Sequence, residues 1–156
     1  MLIKLKDLPG LREQYKGKKI VLGGGTFDII HQGHIDYLRD MRKLGDVIVI
    51  AVKSDAEVKS YKDPGRPVQN EDIRAAIVDA FRYVDYVLVA PEPEGPEYPR
   101  LVVSRQLRPD ILVSANDKWK GYEDKLTAMG TSLYVMPIEK VNSTTSIIER
   151  IRSNVT

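Results

Sequence analysis

The sequence predicts an α/β protein in which a five-stranded parallel sheet carries helices on both faces. The chain has 156 residues, about the length of one domain. Short apolar runs alternate along it with segments of helical periodicity, which is typical of stacked βαβ units. The run Val47–Val52 is apolar throughout, as expected of a central parallel strand buried on both faces. We therefore expect residues 1–156 to form one Rossmann-like domain.

The first strand and helix are predicted between residues 19 and 45. Lys19–Leu22 is expected to be a strand, followed by a flexible loop at residues 23–25, which are all glycine. Apolar residues then recur at a spacing of three and predict a helix over the sheet: Ile35, Leu38, Met41 and Leu44. Gly45 is placed as the C-cap of that helix.

The middle of the chain continues the alternation. Ser54 and Asp55 are expected to cap a short helix after the second strand, and Lys59–Pro67 is predicted to be a loop. The next helix face is expected to consist of Ile73, Ile77, Ala80, Phe81 and Val84. Tyr86–Val89 is predicted to be the third strand.

The last part repeats the pattern at the same pitch. Because strand-like segments continue on both sides of the proline-rich stretch Pro91–Pro99, we interpret it as a surface loop within one domain. The remaining predicted elements are a helix at Leu101–Leu107, a strand at Ile111–Val113, a helix at Trp119–Met129, a strand at Leu133–Met136 and a helix at Ser143–Arg152.

The composition excludes several functional classes. Lysine and arginine number 24 against 22 acidic residues, and only 7% of residues are aromatic, so a nucleic-acid partner is not expected. The absence of cysteine excludes disulfides, thiolate catalysis and cysteine-based zinc sites. The apolar runs are too short to span a membrane, and residues 1–19 lack the apolar core of a signal peptide. We therefore expect a cytoplasmic protein with no membrane partner.

A glycine-rich segment, GGGTFDIIHQGH at residues 23–34, follows the first strand. Asp28 occupies a position that the dinucleotide fingerprint reserves for glycine, and no Gly-Lys-Ser/Thr follows, so neither that fingerprint nor a Walker A loop is present. The segment still has the parts of a phosphate site, namely glycines and a helix start near Gly33. A ligand is expected here because doubly wound sheets bind ligands at the carboxyl ends of their strands, near a topological switch point.

The two histidines of the chain, His31 and His34, both lie in this segment. At a spacing of three around a helix start, both imidazoles can face one point and offer N–H groups to a phosphate. Two alternatives are histidines without a role and a zinc site. The second is a poor match because no cysteine or obvious third ligand accompanies the pair.

The segment resembles the signature of the cytidylyltransferase-like nucleotidyltransferases, G-T-F-D followed by H-x-G-H. The resemblance continues in order along nearly the whole chain: Leu44 to Val52 with Ser54-Asp55, Gly65-Arg66-Pro67-Val68, Arg74, Arg82 to Asp85, Arg108-Pro109-Asp110, Asn116-Asp117 and Asn142 to Ile148. It implies attack of a substrate phosphate oxygen on the α-phosphate of a nucleoside triphosphate, with release of pyrophosphate.

The resemblance also implies roles for single residues. Catalytic roles fall to His31, His34 and Lys62. Besides the histidines, nucleotide contacts fall to Gly24, Gly25, Thr26, Phe27, Asn116, Asp117, Ser143, Thr144 and Thr145. Contacts to the second substrate fall to Asp28, Asp55, Lys59 and Arg74. Mg²⁺ is expected to arrive on the triphosphate, with Asp28 as the one suggested protein contact, and a homodimer is expected.

The resemblance leaves ATP and CTP open. Residues 138–142 lack the arginine of the cytidylyl branch's R-T-E-G-I, whereas Trp119-Lys120-Gly121-Tyr122 is similar to that branch's W-E-G-K. Ser114 to Asp117 departs from the K-G-G-D of the branch that contains the adenylyltransferase domain of ADP-heptose synthase. We favour ATP with a sugar phosphate. The alternatives are CTP with a polyol phosphate such as glycerol 3-phosphate, and a nucleotide-binding module without catalysis.

Overall fold

The structure is a computed structural model and describes residues 1–95, 97–137 and 143–155. Its strands form one parallel sheet in the order β3-β2-β1-β4-β5. They are β1 (Ile20–Gly25), β2 (Val47–Val52), β3 (Tyr86–Val89), β4 (Ile111–Ser114) and β5 (Ser132–Val135). The predicted five-stranded parallel sheet is confirmed. Since the chain winds outward from β1 in both directions, the topological switch point lies between β1 and β4.

Helices cover both faces of this sheet, as predicted. The α-helices within the described residues are α1 (Leu8–Gln14), α2 (Gln32–Arg42), α3 (Asp55–Lys59), α4 (Glu71–Asp79), α5 (Pro99–Leu107), α6 (Glu123–Ala128) and α7 (Thr144–Asn154). Apolar residues of α1, α5 and α6 form one core with the sheet, and those of α2 and α4 form the other. No helix in the described ranges is long and apolar enough to cross a membrane.

Strand β2 shows why a continuous apolar run was needed. Val49 and Ala51 belong to the first core, whereas Ile48 and Ile50 belong to the second, and all are buried. Successive side chains of a strand point to opposite faces, so a strand covered on both sides has no position for a polar residue. Burying one such valine or isoleucine stabilises the fold by about 1.5–3 kcal/mol.

The three consecutive glycines are strand, not loop, which corrects the prediction. Gly23, Gly24 and Gly25 pair in register with residues 50–52 of β2. A Cβ on Gly24 would lie 2.5 Å from the carbonyl oxygen of Ala51. The glycines therefore allow close approach of neighbouring groups instead of providing a flexible turn.

Gly45 also has a different role from the one predicted. Helix α2 ends at Arg42, and Gly45 is not among the residues with positive φ. A Cβ at this position would lie 2.6 Å from Val21 Cγ2 and 2.8 Å from the Lys19 carbonyl oxygen. The glycine is needed because the chain passes close to the start of β1.

The predicted face is confirmed only after α4 ends, where Val84 is buried and Phe81 packs against the second core. Within α4, a different face packs on the sheet. Ile73 is 48% exposed, whereas Arg74, Ala75 and Val78 are buried. The periodicity of the apolar residues was misleading because the largest buried side chain of this helix is an arginine.

Two further segments differ from the sequence prediction. The predicted helix from Trp119 is interrupted, since a short 3₁₀-helix at Asp117–Trp119 is followed by Gly121 in a positive-φ conformation and only then by α6. At the N-terminus, where we predicted no element, Leu2 forms a parallel bridge with Val87 of β3 and α1 packs against α5.

Candidate active site

The carboxyl ends of β1, β2 and β4 open into a cleft of about 550 Å³ at the switch point. Its other walls come from the end of α3 and the turn after it, from Ala90 just beyond β3, and from the segment that leads into α5. We call this space the cleft. Its position agrees with the one that the sheet topology predicts for a ligand site.

The end of β1 forms the floor of the cleft. Gly24, Gly25 and Thr26 all line it. Phe27, the next residue, is buried and has a φ of 52°, a conformation that is unfavourable for a bulky side chain. Such strain is found where the surrounding structure enforces a functional geometry. Here it turns the chain from the cleft towards the two histidines.

His31 and His34 lie together at the start of α2. Their rings are stacked with centroids 3.8 Å apart, and the ring of Phe27 lies 5.0 Å from that of His34. His31 is the N-cap residue of the helix, so both imidazoles lie beside backbone N–H groups that the helix leaves without acceptors. The histidines do not line the cleft itself; Thr26 and Phe27 connect the two places.

Both imidazoles have an unused polar atom. Within the described residues, Nδ1 of His31 and Nδ1 of His34 are buried without a hydrogen-bond partner. Burial, and to a lesser extent the charge of His31, lowers the pKa of His34 to about 4. Burial also lowers the pKa of His31. The pair is therefore neutral at neutral pH, with polar atoms that an incoming group can engage.

The start of α7, near the end of the sequence, lies close to the segment that carries the two histidines. Ser143 caps the helix, its Oγ accepting from the backbone N–H of Ser146 at 3.1 Å. The Thr144 hydroxyl donates to the carbonyl oxygen of Ile29 at 3.1 Å, two residues before His31. Thr145 follows on the exposed side. The starts of α2 and α7 are thus neighbours, and each favours an anion. Asn142, which we grouped with this motif, and residues 138–141 lie outside the described residues.

Comparison with known proteins agrees with this arrangement. The profile of the family described as "Cytidylyltransferase-like" matches residues 22–150. The chain belongs to the cytidylyltransferase-like family. It is accordingly a nucleotidyltransferase domain, as the sequence motifs indicated.

Relatives of known sequence refine the placement within the family. The chain is 40% identical over 144 residues to the bifunctional protein HldE of Shewanella sediminis, covering 89% of this chain and 29% of that protein. It is 41% identical over 153 residues to the same-named protein of Campylobacter jejuni, covering 96% of this chain and 31% of that protein. The chain thus spans less than a third of the length of these relatives.

Two solved structures share the fold. A lipopolysaccharide core biosynthesis protein from Thermoplasma volcanium superposes with a TM-score of 0.64 at 26% identity, covering 81% of this chain and all of that one. A pantoate-beta-alanine ligase from Francisella tularensis gives a TM-score of 0.56 at 15% identity, covering all of this chain and 78% of that one. The second likeness concerns the fold alone.

Asp28 of the family motif holds the protein together and does not face a substrate. Its carboxylate is buried and accepts from Arg66 Nε at 2.7 Å and from the backbone N–H groups of Val68 and Gln69 at 2.8 and 3.0 Å. Burial alone would raise the pKa of Asp28, but these hydrogen bonds outweigh it and the pKa is lowered. With both oxygens occupied, the carboxylate is not available to the second substrate or to Mg²⁺, contrary to the expectation.

Arg74 and Asp55 bind each other. The fully buried Arg74 guanidinium donates to the backbone oxygens of Thr26 at 2.6 Å, Lys53 at 2.8 Å and Gln69 at 2.9 Å. It also donates to Asp55 Oδ1 at 2.7 Å. The predicted second-substrate contact of Arg74 is therefore replaced by hydrogen bonds that fix the chain after β1 to the chain after β2. Asp55 shares one carboxylate oxygen with Arg74, and its contact with the second substrate stays a prediction.

Of the two predicted lysines, Lys59 and Lys62, only one lines the cleft. Lys62 lines it, and its ammonium is 5.7 Å from the ring centre of Tyr61. Lys59 lies outside it, on a separate, shallower depression that Lys62 also borders. Lys53, which we had not singled out, lines the cleft with its ammonium 4.6 Å from the same ring.

The two residues predicted to contact the nucleotide beyond β4, Asn116 and Asp117, lie in different surroundings. Asn116 lines the cleft, and its Oδ1 caps the 3₁₀-helix by accepting from the Lys118 N–H at 3.1 Å. Asp117 points to solvent with its side chain 67% exposed and pairs with Lys120 at 3.1 Å. Only Asn116 is placed where the expected nucleotide contact can form.

The part of the chain that the structure describes contains no cluster of three or more histidine, aspartate or glutamate side chains arranged to hold a metal ion.

Arg100, at the start of α5, is a cleft residue that the sequence reasoning missed. Nothing in its sequence neighbourhood distinguishes it from other arginines on amphipathic helices. Only the long-range packing brings it against Gly24 of β1 and Trp119 after β4.

Proposed function

We propose that this domain transfers AMP from ATP to a small phosphorylated acceptor of the sugar-phosphate class and releases pyrophosphate. An oxygen of the acceptor phosphate forms a bond to the α-phosphorus. The bond from that phosphorus to the bridging oxygen of the β-phosphate breaks, and its electron pair leaves on pyrophosphate. No covalent bond to the protein forms, so positioning and charge stabilisation supply the rate.

The observation that carries this proposal is the stacked pair of histidines with unpartnered polar atoms between two helix starts. Thr144 of α7 donates to Ile29, two residues before His31, across a sequence separation of 115. The start of α7 is thereby held close to the stacked histidines. Neutral imidazoles can donate hydrogen bonds to phosphate oxygens without carrying a permanent charge. Such donors strengthen as negative charge grows in the transition state, which is what catalysis requires.

The other residues that we assign to the substrates lie in and around the cleft and at the start of α7. Gly24, Gly25 and Thr26 are suited to close contact with phosphates, and Ser143, Thr144 and Thr145 to the triphosphate at the start of α7. Asn116 is suited to the nucleoside. Lys62 is placed to neutralise phosphate charge from the mouth of the cleft, with Lys59 nearby in a less direct position.

The choice of ATP rests on the relatives. Proteins named HldE match at 40% identity, and the sequence resembles the adenylyltransferase domain of ADP-heptose synthase. We propose that Mg²⁺ enters bound to the triphosphate. The expected homodimer stays a prediction, and analytical ultracentrifugation would test it.

Pyrophosphate release tests the function directly. The protein is incubated with Mg²⁺, each of the four nucleoside triphosphates, and a panel of acceptors that includes heptose and hexose 1-phosphates and glycerol 3-phosphate. We expect the fastest release with ATP and a sugar 1-phosphate. Release with CTP and glycerol 3-phosphate would favour the cytidylyl alternative, and no release with any pair would favour the non-catalytic module.

A further inference from the structure

The guanidinium of Arg100 lies at the switch point, against the two strands that separate there. Its Nη1 is 3.4 Å from the carbonyl oxygen of Val113 in β4, which is the hydrogen bond it makes within the described residues. On the other side, a Cβ added to Gly24 would lie 3.3 Å from the same nitrogen. The side chain is thus held directly beside the floor of the cleft.

This guanidinium has no counter-charge in contact with it, unlike the other arginines around the site. Arg66 pairs with Asp28 at 2.7 Å and Arg74 with Asp55 at 2.7 Å. Across the described ranges, no carboxylate lies within 4.0 Å of the Arg100 guanidinium, which is instead stacked 4.9 Å from the ring centre of Trp119. Burial lowers the pKa of Arg100, which reflects the cost of keeping the charge there. A charge removed from water without a partner is unfavourable unless a ligand compensates it.

The charged side chains around the cleft leave this positive charge unbalanced. Four cationic side chains line the cleft: Lys53, Lys62, Arg100 and Lys118. Both acidic residues of the lining are already paired, Glu57 with Lys53 and Glu97 with Arg105. The ammonium groups of Lys53, Lys62 and Lys118 lie 4.6–5.7 Å from the ring centre of Tyr61, on the wall of the cleft. The cleft therefore favours an anion, with the planar guanidinium of Arg100 at its floor and three ammonium groups along the wall beside Tyr61.

We propose that Arg100 binds the phosphate group of the acceptor, so that the second substrate is a phosphate monoester seated in the cleft beside β1. This inference rests on the proposed function, which assigns the histidines, the end of β1 and Asn116 to the nucleotide and leaves the part of the cleft beside Arg100 to the other substrate. Two parallel N–H donors of a guanidinium match two oxygens of a phosphate, which orients the group as well as attracting it. Thr26 and Phe27 span the distance between this seat and the histidines.

Direct binding tests the inference without depending on turnover. The affinities of inorganic phosphate, a hexose 1-phosphate and ATP are measured by calorimetry for the wild type, Arg100→Gln and Arg100→Lys. Arg82→Gln serves as the matched control, since Arg82 is exposed and lies between α4 and β3, before the amino end of that strand. We expect Arg100→Gln to weaken the hexose 1-phosphate by about tenfold to a hundredfold and Arg100→Lys by less, with ATP affinity nearly unchanged.

Several other results of these binding measurements would overturn the inference. Unchanged hexose 1-phosphate affinity in Arg100→Gln, or no measurable binding to the wild type, would mean that the cleft does not hold a phosphate monoester through Arg100. An equal loss of ATP affinity would assign Arg100 to the nucleotide. Thermal unfolding distinguishes a merely structural role, because removal of an unpaired charge should leave the melting temperature of the free protein unchanged or higher. If phosphate binding depends on Arg100 but no nucleotide supports pyrophosphate release, the proposed function fails and the anion site stands.

Discussion

The charged side chains near this site fall into two groups that the sequence does not distinguish. Asp28 and Arg74 have their polar atoms bonded inside the protein, so they fix the shape of the site. His31 and His34 instead have buried Nδ1 atoms without partners. Buried polar groups are nearly always hydrogen-bonded, so such exceptions point to function. The second group is the one in which substitutions should affect catalysis more than stability.

Replacement of His34 by alanine should therefore act on the chemical step. We expect His34→Ala to lower kcat by about a hundredfold or more, the scale for removing one aimed donor, with a much smaller change in ATP affinity. Steady-state kinetics together with direct ATP binding measure the two effects separately. Gln32→Ala, an exposed neighbour on the same helix, is the control. A loss confined to binding would show that the imidazole contacts only the ground state.

The low pKa of His34 also predicts how stability depends on pH. Its pKa is about 4 in the folded protein and near 6.5 in the unfolded chain. The unfolded state therefore takes up the proton first, and the free energy of unfolding should fall as the pH is lowered from about 6.5 towards 4. Urea denaturation across this range measures the slope. The His34→Gln variant should give a shallower slope, and identical slopes would contradict the assignment.

Strand β1 sets the geometry of the cleft floor at the scale of an element. The Gly24→Ala variant would place a Cβ 2.5 Å from the carbonyl oxygen of Ala51, so β1 and β2 must separate. We expect a loss of about 1–3 kcal/mol in the free energy of unfolding and weaker ligand binding.

Gly10→Ala is the matched control for this change. Gly10 lies in α1, and a Cβ there meets no atom within 4 Å. Alanine should therefore stabilise the helix by about 0.5–1 kcal/mol. Urea denaturation of both variants compares the two signs, and equal effects would mean that close approach is not what requires Gly24.

Helix α4 contributes Arg74, which joins the chain after β1 to the chain after β2. Arg74→Met would leave the Asp55 carboxylate and three backbone oxygens without their donor. Removal of one partner of a buried pair costs about 3–5 kcal/mol, which chemical denaturation would detect. Arg39→Met, on an exposed ion pair of α2, should change stability little. A small effect of Arg74→Met would mean that water replaces the guanidinium.

The whole molecule offers a test of nucleotide choice that needs no acceptor. A ligand that binds only the folded state raises the melting temperature in proportion to its affinity. We expect ATP with Mg²⁺ to raise the melting temperature more than CTP at equal concentration. A larger shift with CTP would reverse the choice between the two branches of the family.

The sequence by itself determined the architecture and the neighbourhood of the two histidines. Alternating apolar runs predicted five parallel strands, all of which are present, because periodicity and burial are encoded locally. The spacing of His31 and His34 predicted that both rings face one place. The helix predicted at Ser143–Arg152 is present as α7, with Ser143 as its N-cap residue. These inferences hold because each depends on neighbours a few residues away.

Only the tertiary structure decided which charged residues are free to meet a ligand. Arg74 was expected to contact the second substrate and is instead bonded inside the protein, whereas Arg100, which no sequence pattern marks, lies in the cleft without an ion-pair partner among the described residues. The surroundings of both arginines come from distant parts of the chain. Those of Arg74 include a carboxylate, whereas those of Arg100 do not. The pattern of residues along a helix cannot reveal this, since the balance between desolvation and pairing depends on packing across the whole sheet.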